Sequence, residues 1–130
     1  MSNLERMREG YERYNRRDFG VVDDLFDADI DWRVPVNEPI RGREGVRAFF
    51  EGLAEQLASH RIVVDDAVES GDRLVCFVRH QMTTPDGKSG EIEAVHDWRF
   101  RDGRVVSLHE VADTLAFAEL TGQIPQPASA

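Results

Sequence analysis

The sequence predicts an α+β domain in which a strongly bent antiparallel sheet wraps around two to three N-terminal helices to form a cone. Two observations predict it. Apolar residues recur at helical spacing through most of the first sixty residues, with one short strand between them. From Arg61 the pattern changes to period-two alternation broken by Gly- and Pro-containing turns. Helices grouped before a meander of strands pack onto one face of the sheet, and the apolar interior of such a cone is a place for small ligands.

Residues 3 to 16 form the first helix, with Leu4, Met7, Tyr11 and Tyr14 on one face. Asp18 caps a second short helix through Phe26, whose apolar face is Phe19, Val22, Leu25 and Phe26. Residues 29 to 34 alternate and place Ile30, Trp32 and Val34 on one face of a first strand. Pro35-Val36-Asn37-Glu38-Pro39 cannot continue it, because two prolines fix φ and remove donors. A loop held by rigid elements often carries a site. Gly42-Arg43-Glu44-Gly45 leads into a helix through about His60, with Val46, Phe49, Phe50, Leu53 and Leu57 as its buried stripe. Residues 61 to 69 and 74 to 84 form strands around Gly71-Asp72, the second carrying Leu74, Cys76, Val78, His80 and Met82 on one face. Pro85-Asp86-Gly87-Lys88 turns the chain into the last two strands. A helix from Thr114 to Leu120 stops at Gly122. Residues 1–122 read as a single domain, and 123–130, with two prolines and small residues, as a flexible tail.

The last hairpin decides the site. Ala94, His96, Trp98 and Phe100 alternate with polar neighbours, Asp102-Gly103 signals the turn, and Arg104 to Ala112 returns. A two-residue turn sets Phe100 against Val105 and His96 against His109. A three-residue turn sets Phe100 against Arg104 and Trp98 against Val106, and puts Val106, Leu108, Glu110 and Ala112 on the inner face with His96. The second is the preferred reading. Ser107 and His109 then lie outside.

The formal charge of −9 argues against a nucleic-acid partner, since phosphate binding needs a basic face. The 41% hydrophobic and 32% charged residues suit a soluble globular chain. Cys76 is the lone cysteine, so no disulfide forms within the chain, and a buried structural thiol is its expected role. No apolar run approaches the length of a membrane span and no signal segment opens the sequence, so a cytoplasmic protein with no membrane partner is expected. His60, His80, His96 and His109 lack ligand spacing, which predicts no metal site, and the absence of a phosphate-cradling Gly-rich loop predicts no nucleotide cofactor.

A set of motifs resembles the nuclear transport factor two-like superfamily, in its SnoaL-like and ketosteroid-isomerase-like branch. They are Tyr11-x-x-Tyr14-Asn15-x-x-Asp18, Leu25-Phe26, Ile30-x-Trp32, Pro39-x-x-Gly42-x-x-Gly45-Val46-x-x-Phe49-Phe50, Gly71-Asp72-Arg73-Leu74, Trp98 to Val105, and Asp113. The resemblance implies a cystatin-like α+β barrel with a cone-shaped pocket, commonly a homodimer paired through the sheet. Members include isomerases, polyketide cyclases, dehydratases, epoxide hydrolases and non-catalytic binding modules. The isomerase base position is occupied by Val34, the helix-one tyrosine position by Gly10, with Tyr11 and Tyr14 displaced nearby, and the protonated aspartate position by His96. The epoxide-hydrolase pattern finds its last-strand acid in Glu110, but Ser89-Gly90-Glu91 lacks the arginine. The His96 and Glu110 pair resembles the arrangement in SnoaL-type cyclases most.

His96 and Glu110 are therefore the candidate catalytic pair. Imidazole titrates near neutral pH, and a carboxyl on an apolar strand face is a usable acid or base. The plainer readings are a satisfied core histidine and a surface charge. Tyr14, Trp32, Trp98, His80 and Val34 are candidate substrate-binding residues; Tyr14, Trp32 and Trp98 are equally readable as core packing, and His80 reads more readily as a satisfied core or rim residue. Tyr11, Asp31, Asn37 and Asp113 form a second tier, Asp31 and Asn37 at the pocket mouth and Asp113 preferred as a helix cap. The expected function is cofactor-independent acid/base catalysis on a small apolar molecule. The alternative is a non-catalytic ligand-binding or dimerisation module of the same fold.

Overall fold

A computed structural model describes residues 1–123; apart from Gln123, the expected C-terminal tail lies outside the described residues. These form four helices and one six-stranded sheet: α1 (Asn3–Asn15), α2 (Val21–Leu25), β1 (Phe26–Arg33), β2 (Ile40–Arg41), α3 (Arg43–Gln56), β3 (Ser59–Ser70), β4 (Arg73–Thr83), β5 (Ser89–Arg101), β6 (Arg104–Ala112) and α4 (Thr114–Leu120). No helix among them is long and apolar enough to cross a membrane.

The sheet runs β2-β1-β6-β5-β4-β3 and does not close on itself. The expected meander occupies β3 to β6, antiparallel throughout. The β1–β6 pair is parallel, a departure from the fully antiparallel sheet expected. No hairpin joins these two strands, so no tight turn dictates their direction. Register shifts interrupt β3 between Val64 and Asp66 and the β5–β6 pair between Arg99 and Phe100. Bulges of this kind bend a strand and add twist, which curves the sheet around the helices.

The concave face is the core. Leu74, Cys76 and Val78 of β4, Ala94, Trp98 and Phe100 of β5, and Val105 and Leu108 of β6 are buried against Met7, Tyr11, Val22, Val46 and Phe50 from the helices. Three helix boundaries differ from expectation. Phe26 begins β1 rather than ending α2. Asp18 does not cap α2; its carboxylate accepts from Arg13 Nε at 2.8 Å and from the Gly20 N–H at 3.2 Å. Helix α3 ends at Gln56, because Leu57 is already extended at φ −118°, ψ 138°, and the strand pattern starts four residues later at His60, Ile62, Val64.

Neither hairpin reading was complete. The turn is the two-residue one, with Arg101 paired to Arg104 and positive φ at both Asp102 (51°) and Gly103 (77°), the geometry of a type I′ turn. Val106 is then the extra residue of a bulge, because Phe100 pairs with Val105 but Arg99 pairs with Ser107. The bulge restores the inner face from Leu108 onward and sets His96 opposite Glu110. Val105, not Val106, is the fully buried residue after the turn.

The turn therefore sets the register that delivers Glu110. A Cβ at Gly103 would lie 3.1 Å from the Arg6 guanidinium in a backbone conformation that L side chains rarely adopt. Gly103→Val is expected to destabilise the fold by about 2 kcal/mol, read as a lower urea midpoint with an unchanged slope.

Candidate active site

A cavity of about 490 Å³ lies between the concave sheet, α3, α4 and the 34–37 loop. Its wall is mostly apolar: Trp32 and Val34 from β1 and its loop, Phe49, Phe50 and Leu53 from α3, Met82, Ile92, Trp98 and Leu108 from the sheet, and Phe117 from α4. Exposed Val36 and Asn37 mark its mouth. Four polar groups line it from the sheet: His60 of β3, His80 of β4, His96 of β5 and Glu110 of β6.

These side chains form one hydrogen-bonded network. Glu110 Oε2 is 2.5 Å from His96 Nε2 and 2.7 Å from His80 Nε2. His96 Nδ1 is 2.7 Å from the Tyr11 hydroxyl, which also accepts the Trp98 indole N–H at 2.9 Å. His80 Nδ1 is 2.8 Å from His60 Nε2, and His60 Nδ1 is 2.7 Å from the Tyr14 hydroxyl. Among the described residues, Glu110 Oε1 has no hydrogen bond and is not sealed from the cavity.

Burial raises the Glu110 carboxyl, but the hydrogen bonds it receives from His80 and His96 outweigh burial and hold the group well below the usual carboxylate range. Burial lowers His96, and the opposing pull of Glu110 does not recover it. His60 is pushed down to about 3 by burial, with His80 adding to the shift. Burial raises both Tyr11 and Tyr14. The resting site is thus an ionised carboxylate with neutral His96 and His60 and protonated phenols.

The structure brings most of the expected site residues together and separates others. His96, Glu110, Tyr14, Trp32, Trp98, His80 and Val34 all line the cavity. His80 is a direct partner of Glu110, closer to the centre of the site than the core or rim place its sequence context suggested. Tyr11 lies behind His96 and does not line the cavity. Trp32 keeps its indole N–H buried without an acceptor among the described residues, so it serves as a wall of the cavity. Asp31 is a correction: it sits on the face of β1 opposite Ile30 and Trp32 and lies 3.5 Å from the Arg33 guanidinium, away from the mouth. Asn37 is at the mouth, with its amide donating to the Pro35 carbonyl at 2.9 Å. Asp113 caps α4, accepting the Ala116 N–H at 3.0 Å.

His60 was missed, since it was assigned to the end of α3. The signal was available, because His60, Ile62 and Val64 continue the period-two inner face one step back. The reading of metal ligands by spacing along the chain also missed a convergence across strands. His80, His96 and Glu110 present ligand atoms within 4.8 Å of one another, a set able to hold a divalent cation. Their mutual hydrogen bonds satisfy them without one.

The lowered imidazoles give a signed pH dependence. The unfolded chain binds protons at His60 and His96 below about pH 6.5 that the native chain refuses, so stability is full above that pH and falls on acidification. Protonation of Glu110 adds to the loss at still lower pH. Urea midpoints measured from pH 8 to 4 should fall below about pH 6.5, and His96→Asn or His60→Asn should flatten the slope by up to about 1.4 kcal/mol per pH unit each.

The SnoaL-like domain profile matches residues 7–108. Among solved structures, a nuclear transport factor two-like protein of unknown function from Burkholderia pseudomallei is 31% identical, with 93% of this chain and 98% of that one covered and a TM-score of 0.87. TerC, crystallised with polyporic acid, is 25% identical over 92% of this chain and 98% of its own, with a TM-score of 0.84. A protein from a soil-derived mobile gene cassette is 26% identical over 91% and 95%, with a TM-score of 0.82. A search of curated protein sequences gives no match. With most of its length matched by the family profile and the same fold in its relatives, the chain belongs to the SnoaL-like domain family.

Proposed function

We propose that the chain is a cofactor-independent enzyme that moves a proton within a small, neutral, largely apolar molecule, with Glu110 as the group that exchanges it. The observation that carries this reading is a carboxylate gripped on one oxygen, with the other unpartnered among the described residues, in a mostly apolar cavity. Both ring nitrogens of His96 are engaged, so His96 orients Glu110 and does not itself meet the substrate. A carboxyl held this far down takes a proton reluctantly and returns it readily. Glu110 would accept a proton from one atom of the substrate at Oε1 and deliver it to another, with no net proton gained or lost. Among the cyclase, isomerase, dehydratase and epoxide-hydrolase chemistries of this fold, that behaviour favours isomerisation and cyclisation. Trp32, Trp98 and Phe49 supply the flat apolar wall. The carboxylate disfavours an anionic ligand.

Glu110→Gln keeps the shape and hydrogen-bonding capacity of the side chain and removes the base. It should lower turnover of any substrate found by screening by roughly 10² to 10⁴, while ligand binding, followed by quenching of Trp32 and Trp98 fluorescence, persists. Wild-type turnover in Glu110→Gln would remove the assignment, and ligand binding without turnover in the wild type would favour a binding module.

The same reading includes a homodimer paired through the convex face of the sheet. Val111, Val95 and Phe77 form one cross-strand row there, and Val111 and Phe77 are 59% and 42% exposed. Light scattering should give twice the chain mass for the wild type and the monomer mass for Phe77→Lys/Val111→Lys; a monomeric wild type would reject this pairing.

A further inference from the structure

Four neighbouring strands each contribute one residue to a diagonal line across the concave face: Glu110 from β6, His96 from β5, His80 from β4 and His60 from β3. Tyr11 and Tyr14, three residues apart on α1, close its two ends. The positions of the protons follow by elimination. Ionised Glu110 only accepts, so His96 and His80 each present Nε2–H to its Oε2. Neutral His96 must then accept at Nδ1, and the Tyr11 hydroxyl donates to it. The Tyr14 hydroxyl has no other partner among the described residues and donates to His60 Nδ1, so neutral His60 carries its proton on Nε2 and presents it to His80 Nδ1. Every bond in both arms then points toward Glu110.

We propose that His60 is a positioning residue for Glu110, orienting His80 so that two donor arms grip the Oε2 edge of the carboxylate and leave the Oε1 edge to the ligand. The proposal rests on the reading of Glu110 as the group that meets the ligand. The arms hold the carboxylate. Both end in phenols that burial keeps protonated, Tyr11 within the core and Tyr14 at the cavity wall. A single arm would leave Oε2 with one donor and the carboxylate free to rotate about its last bond. The second arm removes that freedom, and His60 is what locks it, since His80 Nδ1 has no other partner among the described residues.

The test is the tautomer of each histidine in the uniformly ¹⁵N-labelled full chain at pH 8, read from imidazole nitrogen resonances by long-range proton–nitrogen correlation. His60, His80 and His96 should each be neutral with the proton fixed on Nε2, while exposed His109 averages between tautomers. In His60→Leu the fixed tautomer of His80 should be lost while His96 is unmoved. His60→Gln, whose amide N–H can donate to His80 Nδ1, should restore it. A proton on Nδ1 of His80 or His60 in the wild type would reverse that arm and overturn the proposal. So would His80 resonances that stay unmoved in His60→Leu. The wild-type readout decides even if the leucine variant fails to fold. Because no substrate is needed, fixed tautomers support the clamp even where Glu110→Gln leaves turnover unchanged, a result that sinks the base assignment alone.

Discussion

The structure turns on a carboxylate where an apolar side chain would normally sit. Glu110 occupies the inner face of β6 between Leu108 and Ala112. An ion in such a place carries a desolvation penalty of several kcal/mol even after relaxation. Hydrogen bonds to charged groups contribute about 1.5–3 kcal/mol each, so two donors offset the penalty and one would not. His80 and His96 are those two donors, and their own remaining nitrogens are satisfied by His60 and Tyr11. The polar network thus has to extend as far as α1 before its last polar group is paired.

That requirement links the site to the fold. The donors come from adjacent strands, so sheet register sets every distance in the network. The bulge at Val106 places Glu110 rather than His109 across from His96, and the register it corrects begins at the Asp102-Gly103 turn. Helix α1 supplies both phenols on the face that also buries Met7 in the core. Aromatic rings surround the network: Tyr11 stacks on His96 and Trp98 meets His96 edge-on, which excludes water from the back of the carboxylate. Its front is left to the cavity.

Much of this was legible in the sequence, for identifiable reasons. The 3.6-residue and two-residue periods located every helix and the four-strand meander, because each element buries one face. The pairing of His96 with Glu110 was reached through a turn of the wrong length. A three-residue turn and a two-residue turn followed by a bulge shift the strand by the same parity, and face assignment depends on parity alone. The bulge itself leaves no mark in Arg104-Val105-Val106-Ser107, where two adjacent valines suit either face. His60 was hidden by a helix boundary that slid four residues, and Asp31 was placed by its proximity in sequence to the loop, not by the alternation that turns it away. The parallel β1–β6 pair depends on contacts between the ends of the chain, which no local pattern encodes.

The central claim is that Glu110 is held as an ionised acceptor inside an apolar cavity. The most direct measurement is a titration of its side-chain carboxyl carbon by ¹³C NMR, assigned by the resonance missing in Glu110→Gln. The Glu110 resonance should stay at the ionised position from pH 8, through the model-peptide glutamate value of about 4.3, down to the onset of acid unfolding. A midpoint at or above that value would mean that burial prevails over the two histidines, and the arrangement described here would not hold.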